Sequence, residues 1–207
     1  MKTELLSTEN PDAIRRALAV LNAGGLVAVP TDTVYGLAAL VNDSLAIARI
    51  YQAKERSENK AIAVLIGEIH QLDRVAQSLN QSAYRLASAF WPGALTLVVL
   101  RRLDLPSNLS PLPTIGVRIP DHSFTRRLLN SAGPLATTSA NLSGGANPRN
   151  AQEVLAQLDG RIELVLDGGD APGGVPSTVV DCTGSSIYIL RQGAISAEQL
   201  WQAINQA

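Results

Sequence analysis

Over residues 133–145 the chain reads GPLATTSANLSGG, placing Thr137, Thr138, Ser139, Asn141 and Ser143 between glycines just after an apolar run. Short hydroxyl and amide groups beside free backbone N–H groups at a strand end suit an anion. An ordinary solvated turn has the same composition. A second cluster, Lys54, Arg56 and Lys60, is interrupted by Glu55 and Glu58. Just before a buried strand it could clamp a chain of phosphates, Arg56 with bidentate donors and the lysines as point charges; a solvated basic turn would look alike. Arg118 lies between Val117 and Ile119 in an apolar pattern. An unpaired guanidinium is costly there, so it must meet a carboxylate or phosphate, from a ligand or from an internal partner such as Asp32 or Asp121. Arg191, between the apolar run 187–190 and Gly193, poses the same question.

Acid–base groups are few. His70 reads as part of a helix start and His122 as a helix cap, neither in the setting of a catalytic triad. Asp32, between Thr31 and Thr33, is the best-placed carboxylate and equally a turn-forming residue. No spacing of His, Cys or acidic residues suggests a protein-built metal site, and no G-x-x-x-x-G-K-[ST] loop is present. Cys182 is the one cysteine, which leaves no intrachain disulfide and reads as packing beside a strand. Cations and hydroxyls with little acid–base machinery suit the positioning and charge neutralisation of a nucleotide better than attack by an activated nucleophile.

These groups need a scaffold that delivers strand ends to one place. Asn10 can cap a helix beginning at Pro11 and ending at Gly24–Gly25, with Ile14, Leu18 and Leu21 on one face. Further helices are expected over 44–53, 81–90, 124–131, 151–158 and from Ser196 to about Asn205. The last two are announced by capping boxes, Asn150 with Glu153 and Ser196 with Gln199. Strands are expected over 26–30, 61–66, 94–100, 115–119, 135–138, 162–166, 178–181 and 187–190. Helix and strand alternate until consecutive strands appear near the C-terminus, which predicts an α/β fold with a mixed sheet. In open sheets of this kind, loops distant in sequence converge in a crevice at strand ends.

With 207 residues, 46% hydrophobic and 17% charged, the chain has the composition of a globular protein and is read as one domain over 1–207. A net charge of −1 supplies no global field for nucleic acid, so any polyanion site must be local. The first ten residues carry Glu4 and no long apolar stretch, and runs such as 94–100 are far shorter than the roughly 20 residues a bilayer needs. A soluble, cytoplasmic protein without membrane contact is expected.

Taken in order, PTDTVYGL, KERSENK followed by AIAVLI, WPGALTLV, GVRIPDH, TTSANLSG, PSTVVD and ILRQG resemble the YrdC family over nearly the whole chain. The resemblance implies a YrdC-like α/β domain whose twisted mixed sheet and flanking helices surround a concave cationic cavity. It also implies an L-threonylcarbamoyladenylate synthase that joins L-threonine, bicarbonate or CO₂, and ATP with Mg²⁺, releasing diphosphate. The product would feed threonylcarbamoyl modification of adenosine 37 in tRNA through a downstream threonylcarbamoyl transferase complex. Carried over position by position, Thr33, Arg118 and Thr137 would face threonine. Lys54 and Arg56 would act on the ATP phosphates, with Lys60, Thr114, Ser139, Asn141, Asn147 and Arg191 completing the nucleotide site. Leu65 stands where some relatives carry a threonine-binding histidine. Two other readings belong to the same resemblance: an RNA-binding module, and carbamoyl transfer as in hydrogenase-maturation proteins.

Overall fold

The computed structural model describes residues 2–205. In chain order its elements are β1 (Glu4–Ser7), α1 (Ala13–Asn22), β2 (Val27–Val29), β3 (Gly36–Leu40), α2 (Ser44–Lys54), β4 (Ala63–Leu65), α3 (Gln81–Phe90), β5 (Leu95–Leu100) and β6 (Thr114–Arg118). There follow α4 (Ser123–Ala132), β7 (Leu135–Ser139), α5 (Ala151–Leu158), β8 (Leu164–Asp167), β9 (Thr178–Asp181), β10 (Tyr188–Arg191) and α6 (Ala197–Asn205). Short 3₁₀ helices lie at Ile69–Arg74 and Ser107–Leu109.

All ten strands form one sheet in the order β1-β8-β2-β3-β7-β4-β6-β5-β9-β10. It contains both parallel pairs (β1–β8, β2–β8, β4–β6, β5–β9) and antiparallel pairs (β2–β3, β3–β7, β4–β7, β5–β6, β9–β10), so the sheet is mixed as expected. The period-2 geometry of a strand divides its side chains between two faces. On one face Ala28, Leu37, Val64, Leu97, Val117, Ala136, Val165 and Val180 join the larger core under α2, α3, α5 and α6. On the other, Val27, Val29, Ala38, Leu65, Leu135, Leu164 and Leu166 pack under α1 and α4. That second face is thus covered toward β1 by two helices, and beyond them Thr96, Val98, Gly116, Arg118, Thr137, Ser139 and Val179 line a cavity.

Two strands lie where the sequence reading places none. β1 is only four residues long, and its partner Leu164–Asp167 is far along the chain. β3 reads GLAAL, weak in the β-branched residues that mark a strand, and is held by pairing on both sides with β2 and β7. The first helix also starts later than expected. Asn10 Oδ1 accepts the Asp12 N–H at 2.9 Å inside a turn, and the helix begins at Ala13 after Asp12, which makes no side-chain cap bond. The other caps form as read: His122 accepts the Thr125 N–H, Asn150 the Glu153 N–H, and Ser196 and Gln199 bond reciprocally.

Candidate active site

The open part of that face forms a cavity of about 360 Å³, within the range of small-molecule clefts. Its floor is made of small residues. A Cβ on Gly36 would lie 2.8 Å from Thr137 Cγ2, and one on Gly116 2.9 Å from Thr96 Cγ2, so both strands leave room where any larger side chain would fill it. Three arginines from separate elements line it: Arg56 just past α2, Arg118 at the end of β6 and Arg191 at the end of β10.

Arg118 is buried, with three of its five N–H groups engaged. Its Nε donates to the Gly93 carbonyl at 2.8 Å, Nη1 to Thr33 Oγ1 at 2.7 Å and Nη2 to Asp32 Oδ1 at 2.6 Å. Asp32 is therefore the internal partner, and it also accepts the Asp121 N–H at 3.0 Å. Burial pushes the guanidinium below its ordinary value and Asp32 opposes that. Each terminal nitrogen carries a second N–H, so two of the five donors are left over. Thr33 is set by Thr31, whose buried Oγ1 accepts the Thr33 N–H at 3.1 Å and donates to the Val34 carbonyl at 2.6 Å.

Arg191 donates from Nε and Nη2 to the Ser177 carbonyl at 3.2 and 3.0 Å. Ser177 Oγ in turn lies 2.7 Å from Thr96 Oγ1. Ser177, Thr96 and Thr31 all line the cavity, and the sequence reading singled none of them out for a site. The motif PSTVVD was the one available signal for Ser177. Arg56 gives Nη2 to the Ala61 carbonyl at 2.9 Å while its buried Nε has no partner, and burial lowers its pKa. With Thr33, Thr137, Ser139 and Asn147 these arginines bring together seven of the residues expected at the site.

Four others are not in the cavity wall. Lys60 is exposed beyond it, and Thr114 pairs with Leu100 at the far end of β6. Asn141 is buried, its Nδ2 donating to the carbonyls of Leu142 and Gly145 at 2.8 Å, so its amide shapes the loop. Lys54, at 1% exposure, turns its ammonium away from the cavity onto the carbonyls of Ser139 and Asn141. Four backbone donors of this loop are also occupied: Ala140, Leu142, Ser143 and Gly145 give their N–H groups to Tyr35, Gln157, Lys54 and Leu142. Those four N–H groups tie the loop to its neighbours and to itself, and its residues in the cavity wall are Thr137, Thr138 and Ser139.

Cys182 is buried, its thiol pushed up to about 12, which keeps it a packing group. Among the described residues no group of three or more His, Cys, Asp or Glu side chains is placed to hold a metal ion, and no helix is long and apolar enough to cross a membrane.

The profile of the Sua5_yciO_yrdC family, described as telomere recombination, matches residues 19–193. The chain belongs to the Sua5/YciO/YrdC family. Among its relatives is a Bacillus subtilis protein named threonylcarbamoyl-AMP synthase, 41% identical over 201 residues, covering 96% of this chain and 58% of that one. A Mycobacterium tuberculosis relative is 36% identical over 207 residues, covering 98% of this chain and 95% of its own length. The Pyrococcus abyssi Sua5 structure complexed with L-threonine superposes with a TM-score of 0.93 at 35% identity, covering 99% of this chain and 61% of that one. This Sua5/YciO/YrdC chain thus spans about three fifths of the Bacillus and Pyrococcus proteins and nearly all of the mycobacterial one.

Proposed function

We propose that this chain is a threonylcarbamoyl-AMP synthase acting on L-threonine, bicarbonate or CO₂, and Mg·ATP. The observation that carries the reading is the cavity itself, lined by Arg118, which has two N–H groups beyond those given to Gly93, Thr33 and Asp32, and by two further arginines, Arg56 and Arg191, with glycines at positions 36 and 116. Relatives named for this activity, and a Sua5 relative complexed with L-threonine, support it.

Arg118 takes the threonine carboxylate on its free N–H pair, and the hydroxyls of Thr33 and Thr137 stand beside it. That pairing turns the amino group toward the rest of the cavity. The neutral amine adds to CO₂ and gives up one proton to water, forming a carbamate; its oxygen attacks the α-phosphorus of ATP as the bond to the bridging oxygen of diphosphate breaks. Magnesium carried on the triphosphate of the substrate would supply charge neutralisation at the leaving group. Arg56 and Arg191 add fixed positive charge there, and Ser139, Ser177 and Asn147 supply hydrogen bonds. Holding a labile carbamate against ATP in a walled cavity provides catalysis without a strong general base. The acyl adenylate then passes to a transferase complex that modifies tRNA.

Mass detection of threonylcarbamoyl-AMP is the test. Product should form with all three substrates and vanish when threonine, bicarbonate or ATP is omitted. Release of phosphate or diphosphate from ATP without the adduct would overturn the reading.

A further inference from the structure

Lys54 is the last residue of α2, and its ammonium enters the protein interior with no carboxylate partner among the described residues. Its neighbour Glu55, in the left-handed conformation at φ 52°, points outward to Arg161 at 2.8 Å. Nζ meets oxygens alone: the main-chain carbonyls of Ser139 and Asn141, and Asn141 Oδ1 at 3.4 Å. The Lys54 carbonyl closes the ring by accepting the Ser143 N–H at 2.8 Å. The end of α2 and the turn after β7 are thus locked by a residue that the cavity never sees, while Arg56, two positions on, does line it.

We propose that Lys54 is a positioning residue, which clasps the turn of residues 139–143 to the end of α2 and thereby sets Ser139 in the cavity wall, leaving Arg56 as the cation of that segment that meets the ligand. The nucleotide part of this assignment rests on the proposed function; the clasp does not. A buried charge without a counter-ion is costly, and two main-chain carbonyls with one side-chain amide oxygen are what make it tolerable. An ammonium held this way has its donors directed at the loop and none at a phosphate.

Two measurements on Lys54→Met and Arg56→Met separate the roles. Amide hydrogen exchange reads the clasp directly. Lys54→Met should speed exchange at Ala140, Leu142, Ser143 and Gly145 by about tenfold or more, with β6 unchanged, and Arg56→Met should not. Unchanged protection in Lys54→Met would overturn the proposal. Calorimetry with AMP, ADP and ATP, each with Mg²⁺, reads the ligand side. Loss of a phosphate contact grows with the number of phosphates, whereas a misplaced Ser139 weakens all three by one factor, about tenfold. The first pattern is expected for Arg56→Met and the second for Lys54→Met; a loss in Lys54→Met that grows from AMP to ATP would overturn the proposal. Lys54→Gln, uncharged but still a donor, gives the same nucleotide comparison should the Met variant not fold. If the unaltered protein binds none of the nucleotides, the proposed function falls and the exchange result alone decides the clasp.

Discussion

Arg118 commits three N–H groups of its guanidinium to the fold and keeps two, which the proposed function gives to threonine. Its bonds to Gly93, Thr33 and Asp32 fix the plane, and the second N–H on each terminal nitrogen then has a set direction. A lysine would keep the charge and lose the fork. Arg118→Lys should therefore fold with Asp32 still paired, and weaken threonine binding by about tenfold or more in calorimetry; unaltered affinity would remove the carboxylate from this arginine. Lys54 makes a prediction of the opposite kind, about protons. Burial, helped by Arg56, pushes its ammonium down to about 7 from an ordinary 10.5. Below pH 7 both the folded and the unfolded chain are protonated there, and the cost of the buried charge is borne in full. Between about pH 7 and 10 the unfolded chain binds the extra proton, so stability rises with pH, by up to about 1.4 kcal/mol per pH unit. Urea unfolding of the unaltered protein should gain stability from pH 7 to 9 relative to Lys54→Met. Parallel profiles would mean that the carbonyls of Ser139 and Asn141 hold the amine charged throughout.

Residues 168–177 join β8 to β9 as a strap laid over the turn that carries Asp32 and Thr33. Gly168 N–H donates to the Tyr35 hydroxyl at 3.0 Å, that hydroxyl donates to the Gly169 carbonyl at 2.7 Å, and Gly173 and Gly174 give their N–H groups to the Asp32 and Thr33 carbonyls. A Cβ on Gly173 would sit 2.6 Å from the Asp32 carbonyl oxygen. Gly173→Ala should lift the strap, lowering thermal stability and threonine affinity together, because Asp32 and Thr33 are what hold Arg118; a variant that loses stability with threonine binding intact would separate the strap from the site. None of this could be read from DGGDAPGG, which looks like a flexible loop. Legible were the features that local pattern controls: the amphipathic helices, the caps at His122, Asn150 and Ser196, the apolar strands, and an arginine inside one of them that had to have a partner. Not legible were features decided at long range. β1 and β3 exist because distant strands pair with them, Gly116 and Thr96 matter because of what faces them across β5 and β6, and the direction of Lys54 depends on where α2 ends against β7.

The cavity exists because the sheet is wider than the two helices on its second face. α1 and α4 cover one side of it with the apolar set that includes Val29, Ala38, Leu65 and Leu135, and beyond them the open stretches of β7, β4, β6, β5 and β9 line the cavity with residues such as Thr137, Ala63, Gly116, Thr96 and Val179. The cavity lining is thereby distributed over residues from Thr31 to Arg191, which belong to strands and loops distant in sequence but joined in one sheet. A ligand there binds a surface that the unfolded chain cannot assemble, so occupancy must raise the stability of the whole fold. At a ligand concentration one hundred times its Kd the gain is about 2.7 kcal/mol, and for a chain of this length each kcal/mol is worth about 2–4 °C in Tm. Threonine and Mg·ATP should each raise the melting temperature by several degrees. Arg118→Lys should lose much of the threonine shift and keep the nucleotide shift, because its charge remains while its fork is gone; Arg56→Met should do the reverse. Equal loss of both shifts in both variants would mean that the two ends of the cavity do not act as separate subsites, and the assignment of carboxylate to one and phosphates to the other would fail.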